Sequence, residues 1–252
     1  MNEQICRIAE KIAEKGKNVI FTGAGISTES GISDYRSKGG IWDKFKPVYF
    51  DDFMTSRDAR IRYWAEKSEL YRHLATARPN PGHRAIFELY ASGLVQVVIT
   101  QNIDGLHQAS GLPDDRVIEL HGNSLRVRCM QCNAIFPIHE IQKRIDGGDL
   151  APECACGGYL KPDTVSFGQA MPRNRVDMAV KFSQECDSFL VVGSTLIVQP
   201  AAMMPQYARQ AGAFLSMVNL SKTPIDHLCD VLIRGKAGPV LTDIAAMAKT
   251  VS

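Results

Sequence analysis

Short aliphatic runs that alternate with helical patterns constrain the fold of this chain more than any other feature. Six of these runs predict buried strands, and in chain order they are NVIF, LVQVVIT, RVIELHG, FLVVGS, AFLSMVNL and VLIRG. Helical patterns separate most of them, and HRAIFELYASG predicts a helix that stops at Gly93. Aliphatic strands that alternate with helices form a parallel sheet covered on both faces. We therefore expect an α/β fold with a Rossmann-like, doubly wound parallel sheet.

Two segments break this alternation and predict insertions into the sheet domain. Residues 36–80 are irregularly helical and rich in aromatic and charged residues, whereas residues 122–171 carry paired cysteines and few long apolar runs. Together they would form a smaller domain. The Rossmann-like domain would then comprise residues 1–35, 81–121 and 172–252.

Composition and charge exclude several classes of protein. Apolar residues make up 45% of the 252 residues, so a large core can form, and a net charge of +2 is too small to indicate nucleic-acid binding. Charged residues interrupt each apolar run of the N-terminal stretch MNEQICRIAEKIAEKGKN, which is therefore not a signal peptide. The longest apolar run, around FLVVGSTLIV, is far too short to span a membrane. We expect a soluble, cytoplasmic protein with no nucleic-acid or membrane partner.

Four of the seven cysteines form two local pairs that predict a metal site. Cys129-x-x-Cys132 has the spacing of a zinc knuckle, and Cys154-Ala-Cys156 follows after 21 intervening residues with a spacing one residue shorter. Two disulfides or free thiols are the alternatives, and an intracellular chain disfavours disulfides. Four protein ligands leave no open position for water, so the zinc would be structural and residues 122–171 a zinc-binding insertion.

Polar residues cluster where the predicted strands end. TQNIDGLH, ELHG, GSTLIVQP and VNLS each follow a strand, and polar residues at the carboxyl ends of parallel strands indicate a ligand crevice. After the first strand, Gly23 and Gly25 would let the backbone approach a phosphate, although a lone G-x-G is also typical of a turn without a ligand. Thr28 stands where the dehydrogenase fingerprint has its third glycine, which disfavours an ordinary oxidoreductase.

In combination these motifs resemble one family. GAGISTESGISDYR, TQNIDGLH, ELHG, the four-cysteine module and GSTLIVQP occur in the order seen in sirtuins, the NAD-dependent protein deacylases, and the resemblance runs from Val19 to Gly238. RYWAEKSEL and PNPGH are similar to the branch common in bacteria and mitochondria. The resemblance implies NAD as co-substrate, an acyl-lysine protein or peptide as substrate, and nicotinamide, deacylated lysine and O-acyl-ADP-ribose as products. We expect a monomer.

The resemblance also implies roles for the residues at matching positions. Contacts with NAD would come from Gly23, Ala24, Gly25, Ser27, Asp34, Tyr35, Arg36, Gln101, Asn102, Ile103, Asp104, Gly193, Ser194, Thr195, Asn219, Leu220, Lys236 and Ala237. Catalysis would fall to His121, Asn102 and Asp104. His121 would be the general base that takes a proton from a ribose hydroxyl, because histidine titrates near neutral pH. The substrate backbone would pair, as an added strand, with Val165, Phe167 and Gly168.

Some positions depart from the family pattern. Ser33 replaces a proline in the cofactor loop, and Gln169 replaces a glutamate after Phe-Gly. Sirtuins that remove acidic acyl groups carry a Tyr-x-x-Arg pair, for which the best matches here are Trp64 and Lys67. This departure argues against a dedicated succinyl or malonyl specialist.

Two other functions are compatible with parts of the sequence. A protein ADP-ribosyltransferase would use the same activated sugar with another nucleophile. A non-catalytic module that senses NAD, or a zinc ribbon that binds nucleic acid, would need neither His121 nor the full set of polar strand ends. The near-neutral net charge weighs against the zinc ribbon.

Overall fold

Two β-sheets make up the framework of this computed structural model, which describes residues 1–14, 16–33 and 46–251. Their strands are β1 (Asn18–Thr22), β2 (Val97–Thr100), β3 (Val117–Glu119), β4 (Gly122–Cys129), β5 (Ile135–Pro137), β6 (Leu160–Thr164), β7 (Ser188–Val192), β8 (Phe214–Val218) and β9 (Val231–Ile233). The larger sheet has six parallel strands in the order β3-β2-β1-β7-β8-β9. The smaller sheet is antiparallel, in the order β5-β4-β6. The six strands expected from the aliphatic runs are the six of the parallel sheet, which confirms the predicted α/β class.

Helices cover both faces of the parallel sheet. They are α1 (Asn2–Ala13), α2 (Phe50–Thr55), α3 (Arg57–Thr76), α4 (Pro81–Ala91), α5 (Leu106–Ala109), α6 (Ile138–Asp146), α7 (Arg173–Glu185), α8 (Met204–Gln210) and α9 (Ala237–Val251). On one face α1, α4 and α9 pack in one apolar cluster with Ile20 and Val98. On the other face α7 and α8 pack in a second cluster with Val19 and Val97. Because successive residues of a strand point to opposite faces, these neighbours show that the sheet is doubly wound.

The PNPGH motif sets the start of α4. The side chain of Asn80 accepts hydrogen bonds from the amides of Gly82 and His83, and Pro81 occupies the first helical position, where its missing N–H costs nothing. The helix ends at Ala91, and Gly93 follows with a φ of +73°, as expected of a glycine after a helix. The predicted helix is therefore confirmed, with its end two residues before the expected glycine.

The order of the large sheet reverses between β1 and β7. The loops that follow these two neighbouring strands meet, since Gly23 N donates to Val192 O at 3.0 Å and Gly25 N donates to Gly193 O at 2.8 Å. A Cβ on Gly25 would lie 2.8 Å from the Cα of Gly193, so the close approach needs glycine. Such a switch point at the carboxyl ends of the strands is where α/β sheets hold ligands.

The small sheet has its own hydrophobic cluster, which it shares with α3. Trp64 packs there with Val127, Ile138 and Leu160, and its Nε1 donates to Leu160 O at 3.0 Å. The helical segment and the cysteine-bearing segment thus pack against each other. Within residues 1–14, 16–33 and 46–251, no helix combines the length and the apolar character that crossing a membrane requires.

Candidate active site

The carboxyl ends of the parallel strands lie around one cavity of about 1130 Å³. The predicted site residues that line it are Gly23, Ala24, Gly25, Gln101, Asn102, Ile103, His121, Val165, Phe167, Gly168, Gly193, Ser194, Thr195, Asn219, Leu220, Lys236 and Ala237. They come from loops after all six strands of the large sheet and from the segment after β6. The polar strand ends expected to meet at one edge therefore do meet there.

The imidazole of His121 is held by one hydrogen bond, which fixes its tautomer. Its Nδ1 lies 2.9 Å from the carbonyl oxygen of Gln101. Because a carbonyl oxygen only accepts, Nδ1 carries the proton and Nε2 keeps its lone pair. Burial lowers the pKa of His121, and the bond to Gln101 opposes that shift. The ring is therefore neutral at physiological pH, as a general base must be.

The backbone around His121 turns sharply between the two sheets. Gly122 has a φ of +79°, and a Cβ there would lie only 1.9 Å from the carbonyl oxygen of Asp163, so no other residue fits. The carbonyl oxygen of His121 accepts from Val165 N at 2.9 Å. The catalytic candidate is thus tied directly to the segment expected to bind the substrate.

Ser27, Asn102 and Asp104 form a buried hydrogen-bonded group behind the cavity wall. Ser27 Oγ donates to Asp104 Oδ2 at 2.7 Å, and Asn102 Nδ2 donates to Ser27 Oγ and to Gly23 O, both at 3.1 Å. Burial raises the pKa of Asp104, and hydrogen bonds from Leu106 N and Ser27 oppose that shift. Of the three, only Asn102 is among the described residues that line the cavity. Ser27 and Asp104 order the loop in this structure, and their contacts with NAD stay a prediction.

Polar side chains also fix the loops on the other side of the cavity. Ser194 Oγ accepts from Gln101 Nε2 at 2.7 Å, and Asn219 Nδ2 donates to Ser194 O at 3.0 Å. Glu29 Oε1 accepts from Gly238 N at 2.8 Å in the first turn of α9. The loops after β2, β7 and β8 are thereby joined to one another, and the loop after β1 is joined to α9.

Three predicted cofactor residues, Asp34, Tyr35 and Arg36, lie outside the described residues. Their roles stay predictions that rest on the resemblance alone.

The cavity is also lined by residues to which the sequence assigned no contact with NAD or substrate. Its further lining residues are Thr28, Glu29, Pro47, Val48, Tyr63, Glu66, Lys67, Thr164, Ser166, Gln169, Ala170, Met171, Val198, Gln199, Pro200, Val218, Ser221 and Gly235. Tyr63, Glu66 and Lys67 share one face of α3, as their spacing of three and four allows. That spacing was readable from the sequence, but nothing there showed which face of α3 meets the cavity.

Trp64, the best match in the sequence for the tyrosine of acyl-selective sirtuins, does not face the cavity. Trp64 is only 1% exposed and packs in the core of the small sheet, whereas its neighbour Tyr63 lines the cavity together with Lys67. Adjacent residues of a helix point about 100° apart, so a shift of one position moves the ring from the core to the cavity. The phenol oxygen of Tyr63 lies 3.4 Å from Ser166 Oγ, beside the expected substrate strand.

The four paired cysteines form one cluster. All four Sγ atoms lie within 4.8 Å of one another, with Cys129 and Cys156 at 3.5 Å and Cys132 and Cys154 at 3.8 Å. Zinc–sulfur bonds of about 2.3 Å in a tetrahedron place the sulfurs about 3.8 Å apart, so the cluster fits zinc despite its short second pair. All seven cysteines of the chain are described, and none forms a disulfide. With four thiolate ligands the zinc has a structural role.

Gly158 explains how the shorter second pair still closes around the site. A Cβ on Gly158 would lie 2.6 Å from Cys129 Sγ, and Gly157 has a φ of +83°. Two consecutive glycines thus let the backbone turn close to the sulfurs.

Comparisons with known proteins agree over nearly the whole chain. A model of the Sir2 family matches residues 23–200. The chain is 45% identical over 236 residues to NAD-dependent protein deacetylase 1 of Bradyrhizobium diazoefficiens. The aligned residues make up 93% of this chain and 92% of that relative. A solved structure of a Sir2 enzyme has a TM-score of 0.87 and 40% identity, with 100% of both chains covered. A structure of Sir2Af2 bound to a myristoylated histone peptide has a TM-score of 0.79 and 38% identity, and covers 99% of this chain and 98% of that one. A family match over most of the chain, a relative at this identity and solved structures of the same fold lead to one conclusion: the chain belongs to the Sir2 family.

Proposed function

We propose that this protein is an NAD-dependent protein-lysine deacylase, which transfers the acyl group to ADP-ribose and releases nicotinamide. The observation that carries the proposal is the placement of His121. Its imidazole has an unprotonated Nε2 and lies where the crevice of strand ends meets the segment after β6. The relative from Bradyrhizobium diazoefficiens, named an NAD-dependent protein deacetylase, supports the same activity.

When bound, NAD supplies a ribose carbon that becomes electron-deficient as nicotinamide leaves, which lets the weakly nucleophilic amide oxygen of acyl-lysine attack. The loops at the switch point position the co-substrate for this step. Gly23, Ala24 and Gly25 have no bulky side chain and leave room for the pyrophosphate. Asn102 and the buried Asp104 hold residues 101–104 in place against the nicotinamide and its ribose.

The two sides of the crevice then serve the acyl transfer. His121 Nε2 takes the proton of a ribose hydroxyl, which makes that oxygen nucleophilic toward the acyl carbon. Val165, Phe167 and Gly168 pair with the substrate backbone as an added strand. The acyl-lysine side chain enters between this segment and the face of α3 that carries Tyr63. The myristoylated histone peptide of the Sir2Af2 structure supports an acylated peptide as substrate.

The test is to incubate the purified protein with NAD and a panel of acetyl-, succinyl- and long-chain-acyl-lysine peptides, with mass spectrometry of all products. We expect one nicotinamide and one O-acyl-ADP-ribose for each lysine deacylated. Loss of a general base costs about 10²- to 10⁴-fold, so His121→Ala should lower the rate by at least about 100-fold. A peptide that gains ADP-ribose and keeps its acyl group would show a protein ADP-ribosyltransferase instead. Binding of NAD without release of nicotinamide from any peptide would favour a non-catalytic module.

Other expectations stay proposals. We propose that residues 36–80 and 122–171 form a small domain and that residues 1–35, 81–121 and 172–252 form the NAD-binding domain. A cytoplasmic location, a monomeric state and the absence of a nucleic-acid partner are proposed on composition and on the resemblance.

A further inference from the structure

Glu119, the last residue of β3, has a buried carboxylate with four side-chain hydrogen bonds. Oε1 accepts from Gln108 Nε2 at 2.8 Å and from Asn123 Nδ2 at 2.5 Å. Oε2 accepts from Arg126 Nη2 at 2.6 Å and from Arg175 Nη1 at 3.2 Å. The Glu119 side chain is only 5% exposed. Donors from α5, β4 and α7 therefore hold this carboxylate in a single position.

Glu119 and Asn123 lie on either side of His121, the catalytic candidate. Glu119 and Asn123 stand two residues before and two residues after His121, so their side-chain bond closes the bend that carries the imidazole. Asn123 is fixed in turn, because its Oδ1 accepts from Leu125 N at 2.8 Å. The bend itself depends on the left-handed Gly122. The imidazole thus projects from a short loop whose two ends are joined by one hydrogen bond.

Glu119 does not line the large cavity at the strand ends. It lines a separate cavity of about 240 Å³, whereas His121 lines the large cavity of the strand ends. The same network reaches the loop at the end of β2. Gln108 belongs to the helix after that loop, and Ser124 N, next to Asn123, donates to Ile103 O at 2.8 Å. The carboxylate therefore fixes His121 relative to residues 101–104.

The charge of Glu119 is essential to this arrangement. Arg175 contacts both its carboxylate and its carbonyl oxygen, and Arg126 is shared with Asp163. A buried pair that loses one member leaves an uncompensated charge. Glutamine at position 119 would turn an NH₂ group toward the arginine or amide donors, so at least one of the four bonds would be lost.

We propose that Glu119 is a positioning residue for the general base: it holds the bend so that His121 Nε2 meets the ribose hydroxyl. The inference rests on the proposed function, in which His121 removes that proton. Release of nicotinamide and its return to NAD need no such proton removal, whereas acyl transfer does. Loss of Glu119 should therefore separate the two steps.

The experiment compares Glu119→Gln with the unaltered protein in two assays with NAD and the peptide on which the unaltered protein is most active. One assay measures O-acyl-ADP-ribose, and the other measures incorporation of labelled nicotinamide into NAD. Because misplacement of a catalytic group by about 1 Å costs on the order of 10²-fold, we expect product formation to fall about 10- to 100-fold while exchange stays within about twofold. A parallel fall of both rates would show a purely structural role and overturn the inference, and so would unchanged product formation.

The matched control is Asp115→Asn, the same change from acid to amide at an exposed residue of the same small cavity. It should leave both rates unaltered. If Glu119→Gln lacks a cooperative unfolding transition, Asn123→Ala carries the same expectation and the same overturning outcomes, because it removes the bond across the bend and keeps the carboxylate with both arginines. If the unaltered protein forms no product with any peptide, the proposed function fails and this inference fails with it. If only the variants behave otherwise than expected, this inference alone is overturned.

Discussion

The position of one proton on the imidazole of His121 determines whether the side chain can act as a base. The bond from Nδ1 to the carbonyl oxygen of Gln101 leaves the lone pair on Nε2, and burial lowers the pKa so that the ring stays neutral. A histidine exposed on a surface loop would have neither constraint. The same residue type is used quite differently at His83 and His107, which are buried together behind the site.

The burial of His83 and His107 leads us to predict that the protein loses stability in acid. Their rings lie 5.1 Å apart; burial lowers the pKa of His83 to about 4 and holds the pKa of His107 well below its ordinary value. Both are neutral when folded, so below a pH of about 6.5 the unfolded chain binds more protons than the folded one. Stability is therefore fully present above that pH and falls as the pH drops toward 4. The protonation of His83 alone should lower the free energy of unfolding by on the order of 2 kcal/mol between pH 7 and pH 5.

The measurement is the free energy of unfolding at pH 7 and pH 5, from denaturant titrations. His83→Gln keeps an acceptor for Asn80 N but does not titrate, so the loss between the two pH values should be smaller than in the unaltered protein. The exposed His73 gives the control, and His73→Gln should leave the loss unchanged. An equal loss in the His83 variant would contradict the account.

Single residues also show where sequence reasoning stops. The strand ends at Asn102, His121 and Ser194 were predictable, because their positions depend only on where apolar runs end. The bonds of Glu119 were not, because Arg175 is 56 residues away in sequence and only the fold brings it near. Whether Tyr63 or its neighbour meets the cavity depends on the rotation of one helix, which periodicity leaves open.

Among the elements, the two glycine loops at the switch point depend on each other. Gly193 has a φ of +63°, and a Cβ there would lie 2.5 Å from Ile26 N, in the loop after β1. The sequence suggested Gly23 and Gly25 for the approach of a phosphate. The structure shows an additional reason, which is that the loops after β1 and β7 pack backbone against backbone.

Gly193→Ala and Gly93→Ala separate crowding from backbone strain. Both glycines have positive φ, but nothing lies within 4 Å of a Cβ on Gly93. Gly93→Ala should cost about 1 kcal/mol of stability and leave NAD binding unchanged. Gly193→Ala should lower stability by more than Gly93→Ala does. It should also weaken NAD binding by more than about tenfold, or about 1.4 kcal/mol, because the loop that approaches the phosphates must move. Denaturant unfolding and calorimetric titration with NAD measure both effects; equal losses in the two variants would contradict the packing argument.

The two sheets differ in how far the sequence predicts them. The parallel strands are short aliphatic runs that alternate with helical patterns, and all six were predicted. The strands of the small sheet carry weaker signals: β5 has three residues, two of them exposed, and β6 contains Lys161, which is fully buried. The ammonium of Lys161 donates to the carbonyl oxygen of Thr164, a partner that the sequence does not indicate. The cysteine spacing predicted the metal cluster without predicting the sheet that supports it.

In the whole molecule, the site lies where the chain passes between the two sheets. Only Leu120 and His121 separate β3 from β4, and Val165 follows β6 directly, so the proposed general base and the proposed substrate strand are both at this crossing. The hydrogen bond from Val165 N to His121 O joins the β3–β4 connection to the segment after β6. The four-cysteine cluster, which fits zinc, lies at the end of the small sheet away from this crossing, and the glycine loops line the opposite side of the cavity. The activity therefore depends on how the sheets are joined as much as on either sheet alone.

The most direct test of this account is a crystal structure of the protein with NAD and an acyl-lysine peptide. The account predicts that a hydroxyl of the nicotinamide ribose lies within hydrogen-bond reach of His121 Nε2, about 2.6–3.2 Å or through one water molecule. It also predicts the peptide backbone beside Val165 and Phe167. A dinucleotide bound outside the crevice, or one whose ribose is far from the imidazole, would contradict it.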